Sequence, residues 1–290
     1  MPESVAGAGT LDLGDGLKVH RLGFGAMRIT GRGVWGHPRD RKGAIRLLRR
    51  APELGIDFLD TADSYGPNVS EELIAEALHP YPEGVVIATK GGLVRPARDE
   101  WVEDGRPEHL RAALEGSLAR LRVERIDLYQ LHAPDPDVPY ADSVGVLADM
   151  QTEGKIRLVG VSNVDLEELE TARGIVDVRS VQNRYNLNDR SSDDVLERCE
   201  ELGIAFIPWF PLDTGSLAAG KSRSRRTLTR IARRHHATNA QIALAWLLAR
   251  SPVMLPIPGT SSLEHLEENV GAAAVDLSEE EIEELTEEEA

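Results

Sequence analysis

Short apolar segments alternate with amphipathic helical segments along most of the 290-residue chain. The apolar segments are nearly continuous rather than interrupted by polar residues, which is typical of parallel strands covered by helices. Eight of them are recognisable, at residues 22–25, 58–62, 85–90, 126–132, 158–163, 180–186, 205–210 and 254–258. Eight alternations of strand and helix within about 250 residues predict one (β/α)8 barrel, the TIM-barrel fold of the α/β class, as a single domain over residues 1–290.

The segments between the predicted strands show helical periodicity, and glycines end several of them. The predicted helices cover residues 41–54, 71–78, 107–121, 142–153, 166–172, 193–202 and 240–249. Ahead of the first barrel strand, residues 11–19 predict an N-terminal β-hairpin that turns at Asp15-Gly16 and plugs the barrel floor. An open doubly wound sheet is the structural rival. However, Gly23 and Gly25 lack the third glycine and the later acidic residue of a dinucleotide-binding turn.

The composition argues against several classes of function. A net charge of -16 disfavours a nucleic-acid partner, which needs a basic face. Eight glutamates lie in the last twelve residues, where Ser278 and Glu281 predict a capped helix. The single cysteine, Cys199, excludes an intrachain disulfide, and no basic-apolar leader is visible, so we expect a cytoplasmic protein. No apolar segment is long enough to span a membrane.

Acid, phenol, amine and imidazole side chains accompany three successive predicted strands. Asp60 lies in the second strand and Tyr65 follows it, while Lys90 ends the third strand and His132 ends the fourth. Because the carboxyl ends of barrel strands form one rim, we expect these four side chains to lie together. Singly, each has a structural explanation, such as a turn cap or a satisfied core histidine. Together they favour a functional site, since burying an acid and a lysine costs free energy unless the two are paired.

These four groups match the needs of carbonyl reduction. Hydride addition to a carbonyl creates an alkoxide, which needs a proton as it forms. Tyrosine can supply that proton, although its ordinary pKa of about 10 is high for neutral pH. A neighbouring ammonium favours the tyrosinate and lowers this pKa. We therefore predict that Tyr65 is the proton donor beside Lys90, that Asp60 holds Lys90 charged, and that His132 orients the substrate.

This ordered set of residues resembles the aldo-keto reductase superfamily, and the similarity covers nearly the whole chain. Asp60 and Tyr65, with their five-residue gap, and then Lys90 and His132 look like the family's catalytic tetrad. The resemblance implies an oxidoreductase that reduces a small-molecule aldehyde or ketone with NADPH, NADH not being excluded. Residues 33–36 with 38–41, 63–67 and 210–212 are similar to a bacterial branch that includes pyridoxal reductases. Pyridoxal is therefore one candidate substrate.

The resemblance also implies a set of cofactor-binding residues. They are Ser162, Asn163, Gln182, Trp209, Pro211 and Leu212 toward the nicotinamide, and Gly259, Thr260, Ser261, His265 and Asn269 toward the adenosine phosphate. Trp209 stands where the family usually stacks a tyrosine, and indole offers a comparable face. Gly259 and His265 occupy positions that are often basic in NADPH-selective members. The basic segment 221–226 either supplies the missing charge or is an exposed loop.

The substrate-lining residue predicted from the sequence is Trp35, in a loop expected to overhang the barrel mouth. Two other functions stay open. A regulatory module that binds NADPH with slow turnover would share the fold, although the intact tetrad argues against it. A metal-dependent hydrolase would need ligands such as His132 with Asp135 and Asp137, or residues 235–236. Adjacent helical histidines diverge by roughly 100°, so we expect no metal. The sequence does not indicate the oligomeric state.

Overall fold

The computed structural model of the chain describes residues 4–219 and 225–287. Its strands, in chain order, are β1 (Thr10–Gly14), β2 (Leu17–His20), β3 (Phe24–Gly25), β4 (Phe58–Asp60), β5 (Val86–Gly91), β6 (Leu93–Val94), β7 (Val102–Glu103), β8 (Ile126–Leu131), β9 (Ile156–Ser162), β10 (Val178–Gln182) and β11 (Ala205–Phe206). Seven of them form a parallel sheet in the order β11, β10, β9, β8, β5, β4, β3. The strands β1 and β2, and likewise β6 and β7, form antiparallel hairpins.

The parallel sheet closes into a barrel through residues 254–256, which lie between its two edge strands. Met254 bridges to Phe206 of β11, and the Leu255 N–H donates to the Phe206 carbonyl at 2.8 Å. On the other side, the Gly23 N–H donates to the Pro256 carbonyl at 2.9 Å. The eighth predicted strand is therefore present as a short bridging segment, and the prediction of an eightfold barrel is confirmed.

Ten α-helices occur within the described residues and surround the barrel. They are α1 (Arg41–Glu53), α2 (Val69–Leu78), α3 (Pro107–Leu121), α4 (Tyr140–Thr152), α5 (Leu166–Arg173), α6 (Asp193–Leu202), α7 (Arg225–Arg234), α8 (Asn239–Arg250), α9 (Leu263–Val270) and α10 (Glu279–Glu287). The periodicity does not predict α7, because half of its ten residues are arginines. Ser278 and Glu281 exchange the two expected capping hydrogen bonds at the start of α10. In the described part of the chain, no helix is long and apolar enough to cross a membrane.

Two apolar layers, one on each face of the parallel sheet, stabilise the barrel. The outer layer lies between strands and helices and includes Leu59 and Ile87. The inner layer includes Phe58, and there Leu13 and Val19 of the β1–β2 hairpin pack beside it. The hairpin therefore plugs one end of the barrel. It turns at residues 15 and 16, both with positive φ, as the sequence predicts.

The two-residue period of the strands brings polar side chains into the barrel at the end opposite the hairpin. In β4, Phe58 belongs to the inner apolar layer, and Asp60 is the next inward position. The same spacing leads from Ala88 to Lys90 in β5, and the corresponding position in β8 is Gln130. All three polar side chains are buried. The fold therefore places them at the carboxyl ends of adjacent strands.

Candidate active site

A buried ion pair lies at the carboxyl ends of β4 and β5. The Lys90 Nζ lies 2.7 Å from Asp60 Oδ1 and also donates to the Thr61 carbonyl at 2.9 Å. Its third contact, at 3.5 Å, is the Tyr65 hydroxyl. The side chains of Lys90 and Asp60 are almost completely shielded from solvent. Because buried charges are tolerated only when paired and hydrogen-bonded, the two residues hold each other in place.

Two amides hold the second oxygen of Asp60. Gln182 Nε2 donates to Asp60 Oδ2 at 2.8 Å, and Gln130 Nε2 donates to it at 3.3 Å. Gln130 Oε1 in turn accepts a hydrogen bond from Ser180 at 3.3 Å. Asp60 therefore accepts from three side chains and has a fixed orientation. The role of Gln130 is not predictable from the sequence, because a lone polar residue within an apolar strand does not indicate its partner.

Tyr65 and His132 face the same space beside the ion pair. Their ring centroids lie 5.8 Å apart in an edge-to-face arrangement. The Nδ1 of His132 lies 3.4 Å from the Ser64 hydroxyl. The structure thus brings the four residues of the predicted tetrad together, with Lys90 behind Tyr65 and His132 in front of it.

Burial is the largest single influence on the pKa values of Tyr65, Lys90 and His132. It raises the pKa of Tyr65, and the nearby charge of Lys90 offsets this only in part. Burial would lower the pKa of Lys90, but the Asp60 carboxylate and Tyr65 outweigh it, so that this pKa is raised. Burial and the Lys90 charge lower the pKa of His132 well below its usual value.

These shifts define the protonation states at neutral pH: an ammonium beside a neutral phenol and a neutral imidazole. The raised pKa of Tyr65 differs from the lowered pKa expected from the sequence, because desolvation of the buried phenol exceeds the attraction of Lys90. Tyr65 therefore holds a proton that it can donate. His132 is uncharged and can act through a neutral hydrogen bond.

A cleft of about 760 Å³ opens onto Tyr65 and His132. The predicted site residues that line it are Asp60, Tyr65, His132, Ser162, Asn163, Gln182, Trp209, Pro211, Leu212, Gly259, Thr260, His265 and Asn269. Lys90 and Ser261 are not among the lining residues. Lys90 is enclosed behind Asp60 and Tyr65, and Ser261 is exposed beside the cleft.

Asn163 organises the part of the cleft nearest His132. It follows β9 with a left-handed backbone, at φ 58°. Its Nδ2 donates to the His132 carbonyl at 2.8 Å and to Ser162 Oγ at 3.1 Å, and its Oδ1 accepts from Trp209 Nε1 at 3.0 Å. Ser162 Oγ donates to the Gln182 carbonyl at 2.7 Å. This network fixes the edge of the Trp209 ring and leaves the ring at the cleft surface.

Glycines permit a close backbone contact at the far part of the cleft. A Cβ on Gly259 would lie 2.6 Å from the Gly25 carbonyl oxygen, so a lysine could not occupy position 259 without a backbone shift. The basic side chains that line this part are Arg28 and His265. Of the predicted basic segment, residues 221–224 lie outside the described residues, and Arg226 is exposed on α7.

Trp35 is placed differently from the sequence expectation, since it is not among the residues that line the cleft. Its ring centroid lies 5.6 Å from the guanidinium carbon of Arg95, which in turn lies 3.7 Å from the ring centroid of Trp101. Trp101 lines the cleft beside Tyr65. Trp101 is not predictable from the sequence, because it follows a polar segment without strand or helix periodicity.

The residues considered as metal ligands have other partners. His235 Nε2 lies 2.9 Å from a Glu281 carboxylate oxygen. Asp135 accepts from the backbone N–H groups of Gly105 and Asp137, each at 2.8 Å. Over residues 4–219 and 225–287, no group of three or more histidine, cysteine or acidic side chains is arranged to hold a metal ion.

The sequence model of the Aldo/keto reductase family matches residues 21–289. The chain belongs to the aldo/keto reductase family. It is 51% identical, over 281 residues, to an uncharacterized oxidoreductase of Schizosaccharomyces pombe, covering 97% of this chain and 90% of that protein. It is 42% identical, over 269 residues, to pyridoxine 4-dehydrogenase of Escherichia coli, covering 90% and 92%. The family prediction made from the tetrad is confirmed.

A solved aldo/keto reductase structure shares the fold. The Klebsiella pneumoniae protein, crystallised with NADP and acetate, has a TM-score of 0.81 and 27% sequence identity to this chain. The superposition covers 96% of this chain and 94% of that one. The likeness therefore extends over the barrel and its surrounding helices.

Proposed function

We propose that this aldo/keto reductase reduces an aldehyde or ketone to an alcohol with NADPH, and that Tyr65 is the proton donor. The observation that carries the proposal is the chain of contacts from Asp60 through Lys90 to the Tyr65 hydroxyl. This series of contacts ends at the Tyr65 hydroxyl, in the cleft beside His132. A phenol with a raised pKa keeps its proton until a stronger base, the forming alkoxide, is beside it.

The residues of the cleft fit a nicotinamide dinucleotide. Ser162, Asn163 and Gln182 present amide and hydroxyl groups toward a carboxamide, and Trp209 offers an aromatic face held by Asn163. When bound there, the cofactor supplies the hydride. NADPH carries a phosphate that NADH lacks, and the preference for NADPH is supported by Arg28, an exposed cation that lines the cleft close to Gly259.

The chain's own residues account for the movement of the proton. His132 donates a neutral hydrogen bond to the carbonyl oxygen and orients it. Tyr65 gives its hydroxyl proton to that oxygen as the hydride reaches the carbonyl carbon, which leaves an alcohol and a tyrosinate. Lys90 stabilises the tyrosinate with a charge that is already in place, so little reorganisation is needed. Water then returns a proton to Tyr65.

Pyridoxal is one candidate substrate. The support is the 42% identity to a protein named pyridoxine 4-dehydrogenase. Pyridoxal is the aldehyde of pyridoxine, so a reductase acting in the opposite direction would use it.

Oxidation of NADPH, followed by absorbance, tests the proposal. The panel contains pyridoxal, aromatic aldehydes, small aliphatic aldehydes, ketones and sugars, and NADH runs in parallel. We expect reduction of at least one carbonyl, faster with NADPH, and no effect of a chelator. Tight NADPH binding without turnover would instead support the regulatory module. If the protein neither binds NADPH nor reduces any carbonyl of the panel, the proposed function is wrong.

A further inference from the structure

The β6–β7 hairpin brings an aromatic wall to the cleft. Leu93 starts this hairpin and Trp101 directly precedes β7, and both line the cleft with Tyr65 and His132. The Trp101 ring meets the Tyr65 ring edge-to-face, with centroids 6.4 Å apart and an interplanar angle of 77°. Tyr65 therefore contacts an imidazole and an indole at the same time. The indole therefore lies next to the place where a substrate carbonyl would reach Tyr65.

Arg95 fixes the position of the indole. Its guanidinium carbon lies 3.7 Å from the Trp101 ring centroid. The same guanidinium donates to the carbonyls of Gly33 at 3.2 Å, Val34 at 3.0 Å and Glu100 at 2.9 Å, and also to that of Arg98. Each of its three nitrogens is engaged, and only 7% of the residue is exposed. Arg95 is therefore a fixed support rather than a free surface cation.

The loop that Arg95 binds is attached to the turn after Tyr65. The Gly66 N–H donates to the Val34 carbonyl at 3.3 Å, and the Gly36 N–H donates to the Gly66 carbonyl at 2.6 Å. Trp35, between these positions, packs its ring near Arg95. The Arg95 guanidinium thus joins the β6–β7 hairpin to the loop at residues 33–36. That loop in turn is bonded to Gly66, directly after Tyr65. Trp101 keeps 38% of its surface exposed, which leaves apolar area for a ligand to bury.

We infer that Trp101, supported by Arg95, selects planar aromatic aldehydes over saturated ones of equal size. The inference rests on the proposed reductase function. A flat ring can make offset or edge-to-face contacts with the indole, whereas a saturated ring offers only apolar area. Arg95 acts through Trp101 and is a positioning residue. Trp101 is the specificity-determining residue.

Benzaldehyde and cyclohexanecarboxaldehyde form the matched substrate pair, because both place the aldehyde on a six-membered ring. The readout is the ratio of their kcat/KM values in each variant. We expect Trp101→Ala to lower this ratio about tenfold, through the KM for benzaldehyde, and Trp101→Phe to restore most of it. Arg95→Lys, which keeps the charge but loses the planar fork, gives an intermediate ratio. Val102→Ala, on the same hairpin but outside the cleft lining, leaves the ratio unchanged.

Calorimetric binding of the two product alcohols, benzyl alcohol and cyclohexylmethanol, to the NADP-loaded protein gives a readout that does not depend on turnover. We expect Trp101→Ala to weaken benzyl alcohol about tenfold and cyclohexylmethanol much less. If no carbonyl is reduced but this selective loss is seen, the proposed function fails and the aromatic site stands. If the wild-type protein reduces both aldehydes, and Trp101→Ala changes neither the ratio of their kcat/KM values nor the ratio of the two alcohol affinities, the aromatic site is refuted and the proposed function stands.

Discussion

Replacing Asp60 with asparagine leaves Lys90 as a buried ammonium without its carboxylate. Asparagine has nearly the same shape, so the change removes the charge and also places an NH2 group where one oxygen accepted hydrogen bonds, a second cost that does not depend on pH. Removing one partner of a buried ion pair typically costs about 3–5 kcal/mol of folding free energy. The cost has an upper limit, because Lys90 can lose its proton instead. From an ordinary lysine pKa of about 10.4, that limit is about 4.6 kcal/mol at about pH 7 and about 1.9 kcal/mol at about pH 9.

In the wild-type protein, the ion pair contributes the same stability at both of these pH values. Its folded-state pKa of Lys90 is raised, so the stabilisation from the pair is fully present below the unfolded-state pKa. It is lost only as the pH rises through the higher folded-state value. The difference in stability between wild type and Asp60→Asn should therefore shrink by about 1–3 kcal/mol from about pH 7 to about pH 9.

Urea unfolding of both proteins at these two pH values measures the difference. Glu170→Gln is the control, since Glu170 is solvent-exposed and its pairs with Arg173 and Arg198 lie at the surface. We expect a small effect of this control that is the same at both pH values. A loss for Asp60→Asn that is equal at both pH values would refute the account of Lys90 as a buried, carboxylate-dependent charge.

Three further predictions concern other buried groups. Tyr129→Phe should raise the free energy of unfolding by about 1 kcal/mol, because the Tyr129 hydroxyl is buried without a hydrogen-bond partner in the described chain. Urea unfolding measures this, and a free energy below that of the wild type would contradict it. Cys199 is buried and its pKa is raised to about 12, so a thiol reagent should label it only in denaturant, and rapid labelling of the native protein would count against the packing. Because His132 stays neutral, a plot of kcat/KM for carbonyl reduction against pH should show no titration of this residue between about pH 6 and about pH 8. A titration in this range that disappears in His132→Gln would contradict this.

The barrel and its tetrad were predictable because both depend on short-range patterns. Apolar runs of strand length mark the sheet, and the two-residue period carries Asp60 and Lys90 into the same interior as Phe58. The hairpin floor was equally readable, since Asp15-Gly16 suits only a tight turn. In these places, local sequence and tertiary packing require the same structure.

The remaining features depend on contacts between distant segments. Trp101 reaches the cleft because Arg95 joins its hairpin to the loop at residues 33–36, and nothing in either segment alone indicates this. The same contacts place Trp35 on Arg95 rather than among the residues lining the cleft. The raised pKa of Tyr65 also follows from the degree of burial, which the residue types cannot reveal.

Tyr65→Phe tests the central claim most directly, because it removes only the hydroxyl group that is proposed to donate the proton. The matched control is Tyr81→Phe, which removes a hydroxyl bound to the Leu121 carbonyl, away from the cleft. The measurement is the single-turnover rate of NADPH oxidation by a carbonyl substrate, together with the NADPH dissociation constant. We predict that Tyr65→Phe slows the rate by about 10²–10⁴-fold with unchanged NADPH affinity, and that the control changes neither. An unchanged rate in Tyr65→Phe would contradict the assignment of Tyr65 as proton donor.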